Sequence, residues 1–143
     1  MTSVLAVLLT AVNNYKVCMK VKIDTKQKFH VISIKESHLS ANMTAELDDS
    51  LLPFLQNDVK NVVLTLKDIE TMDDAAGEEL LKIQQLFYER HASFVICELQ
   101  PAVEEMLEQA GYLEGMNVTP TESEAWDIVQ MEEIERELLG GEM

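Results

Sequence analysis

The chain is poor in basic residues and in cysteine, and each shortage excludes a class of protein. Its 143 residues include 11 Lys+Arg against 26 Asp+Glu, which gives a net charge of −15. A nucleic-acid-binding protein needs a basic surface to displace counterions, so DNA and RNA are not expected partners. The only two cysteines, Cys18 and Cys97, lie far apart in the sequence. This spacing excludes a disulfide scaffold and favours a reducing, cytoplasmic compartment.

The motifs of common enzyme and metal sites are also missing. None of the five glycines forms a G-x-G-x-x-G motif or a phosphate-binding loop. The histidines His30, His38 and His91 are scattered without metal-ligand spacing, and no serine or cysteine occupies a nucleophile elbow. The sequence therefore predicts no catalysis, no metal site and no cofactor. His30 is expected on the solvent side of a strand, and His91 at a helix C-terminus.

The longest apolar run, residues 4–12, is too short to cross a bilayer, which needs about 20 residues. It also lacks the basic start of a signal peptide. No direct membrane insertion is expected. Residues 1–18 form an N-terminal extension with two interpretations. The segment is either an extra element packed on the core or an artefact of the choice of start codon. The second interpretation follows because Met19 begins a natural strand.

Alternating apolar and polar residues predict an N-terminal β-hairpin. Residues 17–24 place Met19, Val21 and Ile23 on one face, and residues 29–34 repeat the alternation after four polar residues. Nearly continuous apolar runs at 61–66 and 93–99 predict strands buried on both faces, and 116–119 a further short strand. Residues 37–40 are predicted to form a loop.

Four segments show the apolar spacing of helices. The first runs from Met43 to Leu55, with Pro53 expected to kink or restart it. The second covers 75–88, with Asp74 at its N-cap. The third begins at Pro101 and ends at Gly111. The apolar stripe of the second consists of Ala76, Leu80, Ile83 and Phe87.

The fourth helix opens with a capping box made by Thr121 and Glu124. Its apolar stripe either covers the sheet or forms a dimer contact, with Trp126 and Val129 beside it. We expect Ala125 and Ile128 to cover the sheet and leave the outer part of the stripe open. The stripe consists of Ala125, Ile128, Met131, Ile134 and Leu138.

Strands alternate with helices of crossover length, which is typical of the α/β class. The sequence predicts one mixed, mostly parallel sheet with an N-terminal β-hairpin and about four helices. A single domain is expected over residues 19–139, including the C-terminal amphipathic helix, followed by a tail at 140–143.

One segment is distinctive enough to suggest a family. After the strand at 61–66, the chain reads Asp74-Ala75-Ala76-Gly77 at a helix start, where the STAS domain family has Asp-Ser-Ser-Gly. The strand at 93–99, the helix start at Gln100-Pro101 and the final helix opening at 119–125 also resemble later elements of that family. The resemblance covers roughly residues 19–139 and extends to the fold.

The resemblance implies a non-catalytic protein-interaction module. The best-known members of the family are anti-sigma-factor antagonists, which dock on a serine kinase that is also an anti-sigma factor. Phosphorylation of the first serine of Asp-Ser-Ser-Gly abolishes that docking, because phosphate adds about −1.5 to −2 charge. The partner-binding residues that the resemblance implies are Asp73, Asp74, Ala75, Ala76, Gly77 and Glu78.

This chain departs from the family at the switch itself. Ala75 occupies the phosphoacceptor position and cannot be phosphorylated, so the phosphoswitch is expected to be lost or relocated. Thr71 is the nearest hydroxyl and a possible substitute. A register shifted by one residue would instead put Asp74 at the acceptor position. The alternatives are an adaptor subunit of a membrane (lipid or ABC) transport assembly and a protein that simply forms a homodimer.

Deleting residues 1–18 should leave a folded protein, because the first alternating strand begins near Val17. Thermal unfolding of the truncated chain, followed by circular dichroism, should remain cooperative. Aggregation or a broad, non-cooperative transition would show that the extension belongs to the core.

Overall fold

The computed structural model describes residues 19–140, so the predictions made for residues 1–18 and for 141–143 lie outside the described residues. The strands are β1 (Val21–Thr25), β2 (His30–Ile34), β3 (His38–Leu39), β4 (Val62–Thr65), β5 (Thr71–Met72), β6 (Phe94–Cys97) and β7 (Val118–Thr119). The helices are α1 (Thr44–Leu51), α2 (Asp74–Glu89), α3 (Pro101–Gln109) and α4 (Glu122–Gly140). Short 3-10 turns lie at Ala41–Met43, Leu52–Gln56 and Leu113–Gly115.

Five strands form the main sheet in the order β1-β2-β4-β6-β7. β1 pairs antiparallel with β2, and every other pairing in this sheet is parallel. The predicted mixed, mostly parallel sheet with an N-terminal hairpin is therefore confirmed. Because parallel strands point the same way, the loops that follow β2, β4, β6 and β7 meet at one edge of the sheet.

The sheet is covered on both faces, which overturns the prediction that His30 faces solvent. The side of β2 on which His30 lies is buried, and His30 is only 7% exposed. The imidazole Nδ1 lies 3.0 Å from Thr25 Oγ1, and Nε2 lies 3.0 Å from the Val59 carbonyl oxygen. The ring also lies 4.4 Å from that of Phe54, centroid to centroid. Alternation fails here because a central strand has no solvent side.

A second, two-stranded sheet lies where the sequence predicted loops. β3, inside the predicted loop 37–40, pairs in parallel with β5, inside the polar stretch that follows β4. Strands of two residues are too short to show a period, so no sequence pattern reveals them. Their pairing joins the loop after β2 to the loop after β4 and so shapes the edge of the main sheet.

Helices α1, α2 and α3 cover one face of the sheet and form the larger core. The predicted apolar stripe of α2 is fully buried there, as Ala76, Leu80, Ile83 and Phe87 all show. α1 ends at Leu51, and Pro53 lies inside the following 3-10 turn, as the predicted restart requires. The sequence therefore placed this core correctly.

Helix α4 covers the other face of the sheet through its first half, as predicted for Ala125 and Ile128. Ala125 and Val129 are fully buried against the sheet, and the Trp126 ring lies 5.3 Å from that of Phe29. Ile128 is partly buried in the same cluster. The outer half of the predicted stripe does not cover the sheet: Met131, Ile134 and Leu138 are 62%, 56% and 69% exposed.

At the end of α4, polar side chains rather than the outer part of the stripe contact the sheet. The Asn117 Nδ2 group donates to Glu132, and the Asn61 Nδ2 group donates to Glu133. Arg136 reaches Ser93 Oγ at 3.1 Å. A helix can pack on a sheet edge through satisfied polar groups, and the outer stripe that the sequence left open is not part of this contact.

Replacing Leu80 or Ile83 with Ala should lower the free energy of unfolding by about 2–5 kcal/mol, because both truncations leave a cavity in a closed core. Leu86→Ala is the matched control: the same helix and the same chemistry, but at a residue that is 37% exposed. Denaturant titrations measure all three. Equal losses for Leu80 and Leu86 would contradict the placement of α2.

The Cys97 thiol should resist alkylation in the folded protein. It is fully buried in β6, and burial, with the charges of Glu98 and Glu122, raises the pKa of Cys97 to about 12. In a Cys18→Ser background, its reaction with a thiol reagent should proceed only as fast as the protein unfolds. Rapid labelling under native conditions would contradict the buried strand.

Candidate functional site

The turn before α2 carries the residues that the sequence singled out. Asp73 is the N-cap of α2, with extended backbone angles, and Asp74 is the first helical residue. The prediction that Asp74 is the N-cap is therefore wrong by one residue. The sequence did not predict strand β5. Because this strand ends at Met72, the helix starts directly after Asp73. The Asp73 carbonyl oxygen accepts from the amides of Ala76 and Gly77 at 3.1 and 3.2 Å.

The Asp73 side chain holds neighbouring loops rather than capping its own helix. One carboxylate oxygen accepts from the Ala41 amide at 2.9 Å, and the other lies 3.2 Å from His38 Nε2. The same imidazole places Nδ1 2.6 Å from Thr71 Oγ1. A neutral ring satisfies both contacts when the Thr71 hydroxyl donates to Nδ1 and Nε2–H donates to Asp73. We call these four residues, His38, Ala41, Thr71 and Asp73, the Asp73 clamp.

The six predicted partner-binding residues divide into an exposed and a buried group. Asp74, Ala75 and Glu78 are exposed, and Asp73 is half-buried. Ala76 and Gly77 are buried and cannot meet a partner directly. Thr71, the possible substitute acceptor, is exposed.

Gly77 allows α2 to approach the end of α3 closely. A Cβ added there would lie 3.0 Å from Leu107 Cδ2 and 3.1 Å from Tyr112 Cδ2, which is tighter than ordinary contact. The glycine of the Asp-Ala-Ala-Gly segment therefore sets helix packing, and a side chain there would push α3 and Tyr112 away from the turn.

Tyr112 is a site residue that the sequence did not identify. Its hydroxyl donates to Asp74 Oδ2 at 2.9 Å, across 38 residues of sequence. The pKa of Tyr112 is raised, first because the Asp74 carboxylate accepts this hydrogen bond and further because the charges of Asp74 and Glu78 oppose a phenolate. No local pattern marks this contact, since it depends on how α2 and α3 meet.

An open groove of about 430 Å³ lies beside the turn, between the start of α2 and the length of α3. Its acidic residues are Asp74 and Glu105, and half-buried Met106 provides apolar surface. The remaining lining residues are Ala102, Gln109 and Ala110. We call the exposed turn and this groove together the docking surface: Thr71, Asp74, Ala75, Glu78, Glu105 and Met106.

The docking surface combines small side chains, carboxylates and one thioether. Over residues 19–140, no three His, Cys, Asp or Glu side chains are grouped so that they could hold a metal ion. None of the helices in that range combines the length and the apolar character needed to cross a membrane.

Comparisons with known proteins identify the family and the fold. The model of the STAS domain family matches residues 20–125. A putative anti-sigma factor antagonist from Thermotoga maritima is similar at 17% identity, with 77% of this chain and 94% of that chain covered and a TM-score of 0.66. A Moorella thermoacetica RsbS variant gives 22% identity, 78% and 95% coverage and a TM-score of 0.66.

The Bacillus cell fate determinant SpoIIAA in its phosphorylated form is also similar, at 15% identity, with 77% of this chain and 99% of that chain covered and a TM-score of 0.57. At these identities, the likeness to solved structures shows the fold.

Replacing Asp74 with Asn should lower the pKa of Tyr112 toward its ordinary value, because the neutral amide no longer opposes the phenolate charge. Ultraviolet absorbance titration of the tyrosines measures this, with Tyr112→Phe identifying the Tyr112 signal. An unchanged Tyr112 titration in the Asp74 variant would show that the two side chains do not meet.

Proposed function

The chain belongs to the STAS domain family, and from this premise we propose that it is a non-catalytic interaction module whose docking surface binds a protein partner as an anti-sigma-factor antagonist does. The observation that supports this most is the exposed Ala75 at the start of α2. It stands among surface carboxylates, on a turn that the Asp73 clamp holds in place. A rigid, exposed turn loses little conformational entropy when a partner covers it.

The usual phosphoswitch is lost or relocated in this proposal. When Asp74-Ala75-Ala76-Gly77 is aligned with Asp-Ser-Ser-Gly, alanine occupies the acceptor position and the surface stays permanently competent to bind. Thr71 could take over as acceptor, since it is exposed. Phosphate on Thr71 would break its hydrogen bond to His38 and place negative charge beside Asp73, which would disturb the clamp.

The shifted register stays the alternative. In that register Asp74, the first helical residue after the N-cap Asp73, takes the acceptor position. Asp74 would then supply a permanent charge of one, smaller than that of phosphate. The two registers differ in a measurable way: Asp74→Asn should weaken binding in the first, where the carboxylate attracts a basic partner, and should strengthen binding in the second.

The charge of the surface indicates the chemistry of the partner. Asp74, Glu78 and Glu105 surround the contact area, and the whole chain carries a net charge of −15. A complementary partner therefore presents basic residues around a small apolar contact. Association should slow as the salt concentration rises, because exposed charges steer the encounter.

The partner class separates the two functional candidates. A serine kinase that is also an anti-sigma factor would support partner switching in the cytoplasm, whereas a transport subunit would support the adaptor alternative.

The predicted homodimer stays a prediction. Its contact would use the exposed side chains of Met131, Ile134 and Leu138, but α4 carries seven carboxylates and a single arginine. Two copies would therefore repel each other at low salt.

Introducing Ala75→Glu should weaken the partner complex by at least about tenfold, because a charge would be buried at the interface without a counter-ion. The partner is first captured with the full chain, identified by mass spectrometry and purified. Calorimetric titration then compares wild type with Ala75→Glu at equal melting temperature.

Gln130→Glu is the matched control for that titration. It adds the same charge at an exposed position of α4, on the other face of the sheet. Its affinity for the partner should equal that of wild type. If Ala75→Glu also binds like wild type, the docking surface lies elsewhere and the antagonist role loses its main support.

A further inference from the structure

A second cavity lies at the edge of the sheet opposite the docking surface. It measures about 480 Å³ and is lined by segments that precede β2, β4 and β6, with the end of α4 as its wall. Its basic lining residues are Lys28, Lys60, Arg90 and Arg136, with His91 beside them. Asp58 and Glu133 are its acidic lining residues.

The charge of this cavity is opposite to that of the chain. The cavity holds four of the 11 Lys+Arg residues but only two of the 26 Asp+Glu residues. Like charges gathered in a strongly acidic protein are not needed for solubility and repel one another. We propose that this cavity binds the phosphoryl group of a small phosphorylated molecule.

The floor of the cavity is rigid, which distinguishes it from a chance cluster of lysines. Asn61 is 5% exposed, and its Oδ1 accepts from the Ser93 amide at 2.8 Å. Its Nδ2 group donates to the Lys28 carbonyl at 3.0 Å and to Glu133 Oε2 at 2.6 Å. The chain before β2, the chain before β6 and helix α4 are therefore fixed to one side chain.

Arg136 is positioned by the same network. Its Nη2 atom lies 3.2 Å from Asn61 Oδ1, 3.1 Å from Ser93 Oγ and 3.2 Å from Glu133 Oε2. These three bonds use one nitrogen, and a guanidinium has further N–H donors on Nη1 and Nε. A planar donor held in place beside two further cations, Lys60 and Arg90, suits the oxygens of a phosphoryl group.

The backbone conformation of His91 also supports ligand binding in this cavity. Its φ of 59° lies in the left-handed region, where a helix end ordinarily has glycine. Keeping a side chain there places an imidazole at the mouth of the cavity, next to Arg90. Non-glycine residues in this conformation are concentrated at binding sites.

Inorganic pyrophosphate, titrated by calorimetry at low ionic strength, tests the proposal. Wild-type protein should bind one equivalent, and Lys60→Gln and Arg90→Gln should each raise the Kd by about tenfold, the loss of one charge-assisted hydrogen bond. Both residues have solvent-accessible side chains, so the variants should fold. Lys67→Gln is the matched control: it removes the same charge from an exposed position after β4, away from the cavity.

Amide resonances of Lys28, Lys60 and His91 should shift on titration, while those of Asp74 and Ala75 should not. Absence of binding to wild type would overturn the proposal. An equal loss of affinity in Lys67→Gln would also overturn it, since the effect would then come from net charge. Because the docking surface lies at the other edge of the sheet, neither result bears on partner binding.

Discussion

The geometry of the docking surface depends on a single carboxylate, that of Asp73. Its two oxygens hold the Ala41 amide and the His38 imidazole, and so connect the segments after β2 and before α2. The two-residue pairing of β3 with β5, adjoining backbone hydrogen bonds and the Lys35–Asp68 ion pair also join these segments. A pairing so short contributes little by itself, and hydrogen bonds to an ionised group are stronger than neutral ones. The clamp therefore turns two adjacent loops into one rigid surface.

The sheet gives the molecule two edges with different chemistry. Parallel strands place the clamp, Asp74 and the acidic groove at their carboxyl ends, and place Lys60, Arg90 and the polar floor around Asn61 at their amino ends. Helix α4 is held on the sheet by Ala125 and Val129, and its Arg136 reaches the basic cavity. An acidic contact surface and a basic cavity can thus coexist without cancelling each other, because the sheet separates them.

Sequence patterns predicted the parts of this fold that follow regular periods. The stripe Ala76, Leu80, Ile83 and Phe87 and the buried run of β4 are long enough for hydrophobic spacing to be decisive. The same rules failed for His30, because a strand buried on both faces shows no alternation of apolar and polar residues. They also failed for β3 and β5, because a strand of two residues is too short to show a period. They left the outer part of the α4 stripe open, and Met131 and Leu138 are exposed there.

The candidate site was predictable only in its location. The Asp-Ala-Ala-Gly segment marks the turn, and Asp74, Ala75 and Glu78 are indeed exposed there. The clamp and Tyr112 could not be read from the sequence, because their contacts join residues more than 30 positions apart. The burial of Ala76 and Gly77 follows from the approach of α3, which is again a tertiary effect. Local motifs identify where a surface lies, whereas long-range contacts decide which of its residues are accessible.

The central claim is that a protein partner covers the turn at the start of α2. The most direct measurement is the change in amide resonances of the isotope-labelled full chain as its purified partner is added. The account predicts the largest changes at Thr71, Asp74, Ala75 and Glu78 and along the groove at Glu105 and Met106. Changes centred instead on Met131 and Leu138 of α4, with the turn unaffected, would contradict it.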